Sequence, residues 1–568
     1  MPDTYDSASV TASGKASPMP DSLVPKTISI LTEGYGLARL RADALAGLTV
    51  AIVALPLSMA IAIASGVTPD RGLYTAIVGG FIVSLLGGSR VQIGGPAGAF
   101  IVLVAATGAR HGIDGLLLAT AMAGIMLVAA GYLRLGKYIK FIPYPVTVGF
   151  TAGIAVIIFA SQLRDLLGLT LTGAEPGPIV DKVIALSRAS GTVNWAAVLT
   201  AALTIGIILG LRRLRPHLPG MLIAVAAASV IVALLQLPAE TIGTRFGGIP
   251  RGLPLPNLPP LSLDKAAAVF PDAVSFALLG AIESLLSAVV ADGMTGRRHR
   301  SSMELIAQGI ANISSALYGG ICVTGTIART ATNVRAGATS PVSGMLHSVF
   351  LLLFMLLAAP LASYIPLASL AGVLAIVAWN MVEKPAFMAL LRSSYGDAVV
   401  LLATFLIVVF RELTEGIVIG FALGAVLFID RMAKSISVGE TKPPSLLPQE
   451  NGDEHPVVAD DPDTVIYRVS GIFFFGSAAT VGTVLDRIAD QRRNFVLDCS
   501  EVPFMDSTAA NVIEGTLRKA ERSGVRFIIT GASSHVRRTL YQHHVRPPRV
   551  VMRASVEAAL DAIRSEKV

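Results

Sequence analysis

Residues 94–107 read Gly94-Gly95-Pro96-Ala97-Gly98-Ala99-Phe100-Ile101-Val102-Leu103-Val104-Ala105-Ala106-Thr107. The apolar run 97–107 behind the Gly-Gly-Pro break is too short to span a bilayer, which takes about 20 residues of helix. A second such run, 326–335, follows Gly319-Gly320 and Gly325 and reads Thr326-Ile327-Ala328-Arg329-Thr330. Short, Gly/Pro-interrupted apolar segments at corresponding places in two halves of a chain mark a transporter binding site. A short helix starting at each break turns its positive N-terminal end toward the membrane midplane, and two such ends favour an anion between them. Arg329 would add a fixed charge there, or else be a structural or snorkelling arginine.

Outward from these two runs, apolar segments fall near 45–65, 73–86, 97–107, 115–133, 145–161, 195–211, 219–237, 272–291, 302–318, 325–335, 341–359, 364–381, 397–410 and 412–430. Hydrophobic residues make up 53% of the chain and charged residues 15%, against about 25% charged in soluble domains. The class is a polytopic, all-α membrane protein of fourteen segments in the lipid bilayer. Its 54 glycines suit close helix contacts. Basic clusters follow even-numbered segments: Arg134, Lys137 and Lys140; Arg212, Arg213 and Arg215; Arg297, Arg298 and Arg300; Arg431 and Lys434. Those loops and both termini are therefore expected on the cytoplasmic side of a bacterial inner membrane. The connection 238–271 holds seven prolines and reads as an extracytoplasmic loop. The net charge of +7 is accounted for by these loops and implies no nucleic-acid partner. Residues 1–26 read as a disordered tail, 27–434 as the membrane body and 435–463 as a Pro/Glu/Asp-rich linker. Residues 464–568 read as a small α/β domain, with strands at 465–469, 495–498 and 525–530 and helices near 480–491, 509–523, 533–542 and 555–566.

Several residues invite chemistry. Pro56 interrupts the first segment, either as a plain kink or to open backbone beside a cavity. Glu283 lies mid-membrane in Leu279-Gly280-Ala281-Ile282-Glu283-Ser284-Leu285-Leu286-Ser287; a carboxylate there costs several kcal/mol unless paired, protonated or hydrated. Asp292 and His347 are further intramembrane titratable candidates, His347 reading more readily as a packing residue. The two cysteines, Cys322 and Cys499, give neither a disulfide framework nor metal spacing; no cofactor or metal is expected. Gly131–Lys137 mimics a P-loop, but Tyr138 replaces its Ser/Thr and an apolar helix precedes it, so ATP-driven pumping is not expected. Nor does the soluble domain carry a nucleophile–base constellation, so the chain reads as no enzyme.

The order Pro56-Leu57-Ser58-Met59-Ala60, Ser65-Gly66-Val67-Thr68-Pro69, Arg71-Gly72-Leu73-Tyr74, Gly87-Gly88-Ser89-Arg90 and Gly94-Gly95-Pro96 resembles the SulP (sulfate permease) family over nearly the whole chain. The resemblance implies two inverted seven-helix repeats, forming a core domain (segments 1–4 and 8–11) and a gate domain (5–7 and 12–14). It places an anion site between the half-helices, lined by Leu57 and Ile61, by Ala97, Gly98 and Ala99, and by Thr326, Ile327, Ala328 and Arg329. Glu283 and Ser287 stand where the sodium-coupled bicarbonate members have Asp and Thr. Ile327 stands where those members have another Thr, which removes a sodium ligand and favours a proton carried by Glu283. The stretches 281–296, 333–341 and Val377-Ala378-Trp379-Asn380-Met381 are most similar to DauA-type permeases, proton-coupled carriers of four-carbon dicarboxylates such as succinate and fumarate. Bicarbonate or sulfate is the alternative substrate, and an anion channel or sensor the alternative of another class. Phe504-Met505-Asp506-Ser507-Thr508 resembles a STAS domain, in which the residue at Ser507 is a regulatory phosphorylation site in some relatives and otherwise opens a helix. The expected partners are a small anion, a proton, a second copy in a homodimer and an unidentified cytoplasmic protein at the STAS domain.

Overall fold

A computed structural model describes residues 22–139, 143–173, 175–215, 218–259, 262–411, 413–440, 463–478, 481–482 and 493–565. The chain divides into two compact units, residues 1–421 and 422–568. Most of the tail expected over 1–26 lies outside the described residues. From Lys26 the chain is helical: α1 (Lys26–Glu33) is tied to the end of a later helix by Lys26 N–H on Gly87 O at 2.9 Å and by Thr27 Oγ1 on Leu85 O at 2.7 Å.

The apolar segments of the first half fall on α2 (Leu37–Ala64), on α3 (Pro69–Tyr74) running through a π-helical turn into α4 (Gly80–Leu86), and on α5 (Ile101–Tyr132). After the short α6 (Gly136–Ile139) come α7 (Tyr144–Leu167), α8 (Ile179–Arg188), α9 (Trp195–Leu214), α10 (Gly220–Leu234) and α11 (Ile242–Phe246). The second half holds α12 (Leu263–Thr295), α13 (Ser301–Leu317), α14 (Ile327–Arg335), α15 (Val342–Ala362), α16 (Leu367–Met381), α17 (Lys384–Ser393), α18 (Tyr395–Phe410) and α19 (Leu413–Lys434). Among the described residues eight helices are long and apolar enough to cross a membrane. Two boundaries differ from expectation. The segments at 97–107 and 115–133 form one helical path with a kink at Gly112, whose φ of 68° suits glycine. The proline-rich stretch ends early: α12 starts at Leu263, capped by Ser262 Oγ accepting from Lys265 N at 3.1 Å, and carries Pro271 inside it.

Two helix groups follow from packing. In one, α5 lies against α12 and α13, α2 against α14 and α15, and α4 against α13. In the other, α7 lies against α16 and α18, and α9 against α10 and α16. Small residues permit the closest crossing: a methyl on Gly124 of α5 would stand 2.6 Å from Gly309 O of α13, and one on Gly309 2.5 Å from Gly124 O. Such contacts hold membrane helices together where lipid offers no hydrophobic drive.

The second unit carries a five-stranded sheet in the order β3 (Ser437–Glu440), β4 (Thr464–Ser470), β5 (Asn494–Glu501), β6 (Arg526–Thr530), β7 (Val551–Arg553). β3 is antiparallel to β4 and the rest are parallel. Helices α20 (Ser507–Arg522), α21 (Ser534–Gln542) and α22 (Val556–Ser565) accompany it. Phe495, Leu497, Phe527 and Ile529 pack with Ile513 and Leu517 of α20 in its core. β5 is buried from Asn494 to Cys499, as a parallel strand covered on both faces must be. β3 lies inside the stretch read as linker. Only Ile436 and Val438 alternate there before the prolines, too short a pattern to read as a strand. The helix expected near 480–491 lies almost wholly outside the described residues.

Candidate functional site

The two Gly breaks come together. β1 (Gly94–Gly95) and β2 (Thr324–Gly325) pair antiparallel, Gly94 opposite Gly325 and Gly95 opposite Thr324. Thr326 N–H donates to Ile93 O at 3.0 Å, and Ile93 N–H to Thr330 Oγ1 at 3.1 Å. From this joint the chain enters α14 on one side. On the other it enters a 3-10 turn, Gly98–Phe100, that leads into α5. Two helix N-termini, each with unsatisfied N–H groups, thus start from one small sheet.

Each lead also receives a long polar side chain of the other. A methyl on Gly95 would stand 1.8 Å from Arg329 Nη1, and one on Gly325 would stand 1.5 Å from Gln92 Nε2. Only glycine leaves room for either group. Gln92 Nε2 continues to Ser284 O of α12 at 3.0 Å, and Thr324 Oγ1 donates to Gly280 O at 3.3 Å. Ser287 Oγ donates to Thr330 Oγ1 at 3.2 Å. Residues 280, 284 and 287 therefore face the leads. Glu283 shares that face by helical spacing. Glu283 is 8% exposed and makes no hydrogen bond or ion pair with another described residue. Of the ways its charge could be offset, pairing with an arginine does not occur among the described residues.

Arg329 is 2% exposed, and its Nη2 donates to Ser58 Oγ of α2 at 3.1 Å. Its Nε and Nη1 are buried without a partner among the described residues. A guanidinium is always charged and carries five donors in a rigid fork, so two idle buried donors leave capacity for an anion. Ile327 is half-buried and Ala328 exposed, so one face of α14 is open beside the guanidinium. Leu57, Ile61, Ala97 and Ala99 are buried in one apolar cluster with Ile158 of α7 and Leu374 of α16. Gly98 faces the same helices: a methyl there would stand 3.0 Å from Ile158 Cδ1 and 3.8 Å from Met381 Sδ. The sequence-derived residues thus gather where the first helix group meets the second. Thr326 is spent on the lead itself, through Ile93 O.

Four neighbours escaped the sequence reading. Ser58 and Gln92 hold or mirror the arginine, and Thr330 bridges the lead to Ser287. Asn333 donates through Nδ2 to Val91 O at 2.9 Å and keeps a buried Oδ1 without a partner among the described residues. An amide beside a Gly break is a signal that could have found Gln92, and an amide on the short helix behind the other break could have found Asn333. His347 on α15 is fully buried with both ring nitrogens unpartnered among the described residues, unlike the satisfied packing residue expected. Asp292 sits near the end of α12, where it accepts from His299 N at 3.1 Å and contacts His299 Nδ1 at 2.6 Å. It belongs to that helix end and not to the joint. In the second unit, Asp506 caps α20 through Oδ1 on Ala509 N at 2.9 Å, and Ser507 is exposed at the first helical position.

A family model described as the sulfate permease family matches residues 40–404, and a STAS domain model matches residues 455–559. The chain belongs to the sulfate permease family. It is 41% identical to the putative sulfate transporter YvdB of Bacillus subtilis, over 90% of this chain and 95% of that one. It is 31% identical to the bicarbonate transporter BicA of Synechocystis, over 90% and 91%. The solved transmembrane domain of a cyanobacterial BicA superposes with a TM-score of 0.60, at 32% identity, covering 69% of this chain and 98% of that one. Murine Solute Carrier 26 family member A9 superposes with a TM-score of 0.83, at 18% identity, over 98% and 97%, a likeness of fold. This sulfate permease family chain is accordingly a multi-pass membrane anion transporter with a STAS domain, and not an enzyme.

Proposed function

We propose that the chain performs secondary active uptake of a small anion, driven by protons, by carrying its paired half-helices past the second helix group. One observation carries the reading: the buried Arg329 fork keeps two donors idle at the joint of two helix N-termini. Glu283, unpaired on the α12 face toward that joint, is the proton carrier. Sodium is disfavoured because Ile327 offers no side-chain oxygen and the Ser287 hydroxyl is engaged with Thr330, whereas sodium wants several oxygen ligands. The leading substrate is a four-carbon dicarboxylate, succinate or fumarate, on the resemblance of residues 281–341 to the DauA-type permeases. The second reading is sulfate or bicarbonate, favoured by the names of the relatives YvdB and BicA. The chain is placed in a bacterial inner membrane with both termini cytoplasmic and as a homodimer, and exposed Ser507 is the proposed phosphorylation site for a cytoplasmic partner.

The test is uptake of labelled succinate, fumarate, sulfate and bicarbonate into proteoliposomes under an imposed pH or sodium gradient. Saturable accumulation of one anion with the pH gradient is expected, and a non-saturable flux would make the protein a channel. Glu283→Gln is expected to abolish proton-driven accumulation and to retain exchange. Strong stimulation by sodium alone, or an unaltered pH response in Glu283→Gln, overturns the coupling.

A further inference from the structure

A second polar recess lies away from the half-helix joint, at the ends of α4, α12 and α14. It encloses about 240 Å³ and is lined by Arg90, Arg297 and Arg298 together with Ser89, Thr295 and Thr339. Its walls are fixed from behind. Glu304 accepts from Gly88 N at 2.8 Å and from Ser89 N at 3.1 Å, and Arg300 N–H donates to Gly88 O at 3.0 Å. On the opposite wall, Thr339 N–H donates to the buried Asp43 at 2.6 Å. The recess is therefore a built concavity and not a crease between mobile loops.

Its charge is unbalanced. Arg90 is spent on Glu33, which takes both of its terminal nitrogens. Asp292, also on the wall, is taken by His299. Arg297 and Arg298 make no hydrogen bond or ion pair with another described residue and are exposed. Nearby, burial first, then the Arg300 and Arg90 charges, hold the Lys26 ammonium below the usual lysine range. Thr295 and Thr339 give their hydroxyl hydrogens to Ala291 O and to Asp43, and Arg297 also acts on the Glu33 carboxylate through space. The two guanidinium forks with the Ser89 hydroxyl beside them still match the oxygens of a phosphate group, which arginine binds through paired, charge-assisted bonds. The volume suits a phosphate or small headgroup. Arg297 and Arg298 belong to a basic loop between apolar helices, the setting in which anionic headgroups are held at a membrane surface.

We propose that this recess is a second anion site, separate from the transport site, and that it takes a phosphate-bearing ligand, either a lipid headgroup or a free phosphorylated anion. Arg90 stands four residues before Gly94, and Thr339 sits in the loop between α14 and α15. A ligand held there braces both leads of the transport joint from behind.

The test uses the purified full-length chain in phosphatidylcholine nanodiscs, with inorganic pyrophosphate as probe and thermophoresis as readout. Wild type and Arg329→Ala are expected to bind pyrophosphate alike. The double variant Arg297→Ala/Arg298→Ala is expected to lose at least about tenfold in affinity, with part of the loss restored by Arg297→Lys/Arg298→Lys. Nanodiscs containing phosphatidylglycerol separate the sources. Competition with pyrophosphate in wild type, absent in the double alanine variant, identifies a lipid headgroup; no competition leaves a free phosphorylated anion. Pyrophosphate affinity unchanged in the double alanine variant overturns the proposal. So does its loss in Arg329→Ala, which would make the probe a transport-site ligand. Failure of the proposed transport function would leave these bindings unmoved.

Discussion

The clasp of Arg329 over Gly95 can be tested by a single methyl. Built on Gly95, that methyl stands 1.8 Å from Nη1 and 3.0 Å from Cζ of Arg329. Non-bonded contacts settle near 3.5 Å, so the guanidinium must withdraw by roughly 1.5 Å. That displacement breaks its 3.1 Å bond to Ser58 Oγ and moves the idle Nε and Nη1 away from the joint. A hydrogen bond to a charged group contributes about 1.5–3 kcal/mol. Gly95→Ala should therefore weaken anion binding by roughly 10- to 100-fold. Arg329→Ala should weaken it similarly, since it removes the fork altogether. The combination decides the matter. With Arg329 already reduced to a methyl, the Gly95 methyl no longer meets the guanidinium, so Gly95→Ala should then cost under about twofold, a coupling of more than about 1 kcal/mol. The assay is calorimetric titration of the transported anion into detergent-purified protein, with thermal melting to check that each variant is folded. An equal cost of Gly95→Ala in both backgrounds would show that the glycine serves the backbone and not the arginine, and the reasoning would fail.

Three other outcomes follow from local geometry. Asp43 is fully buried and accepts from Tyr35 Oη at 2.7 Å, Thr339 N at 2.6 Å and Ser340 N at 3.2 Å. Asp43→Ala leaves those donors unmatched and should destabilise the membrane unit by about 3 kcal/mol, read as a lowered melting midpoint. On β5, burial pushes the Asp498 carboxyl up, but the Arg468 bond at 2.8 Å and the Ser500 N–H outweigh it and hold it below the usual carboxylate range. A depressed carboxyl stabilises the fold above its unfolded value near pH 4, and that contribution is lost as pH falls through the folded value. Buried Cys499 should thus resist dithiodipyridine at neutral pH and grow more reactive as pH falls below about 4; in Arg468→Ala, which loses the largest of the groups that lower Asp498, protection should be weaker at neutral pH and its loss on acidification smaller. Finally, a chain ended after Lys434 should still insert and melt cooperatively in detergent, because β3 leaves with the sheet it belongs to.

The membrane body was largely legible because lipid imposes one simple rule, an apolar run for each buried helix, and the Gly breaks stood out against it. The placing of Glu283 and Arg329 near the joint was legible for the same reason, since charge inside such runs is costly. What escaped depends on contacts between distant parts of the chain. A two-residue ladder such as Gly94–Gly95 with Thr324–Gly325 has no periodicity to read, and Ser58 looks like any small helix residue until Arg329 lies on it. The start of α12 at Leu263 was hidden by prolines that helices in lipid tolerate. Gln92 was available as an amide beside a Gly break, but its partner, Ser284 O, is a backbone atom that no side-chain pattern announces. In the soluble unit, β3 was hidden because four residues beside a proline run gain their meaning only from β4.

The reciprocal seating of Gln92 at Gly325 and Arg329 at Gly95 makes each half of the chain the mould for the other. A bulkier residue in either recess is paid for in the opposite repeat, so the two halves cannot drift separately in sequence. Chimeras that take residues 1–250 from one family member and the remainder from another should fold into a working carrier only when key and recess travel as matched pairs. The amide–glycine and guanidinium–glycine pairs then serve as an internal password by which one repeat accepts the other.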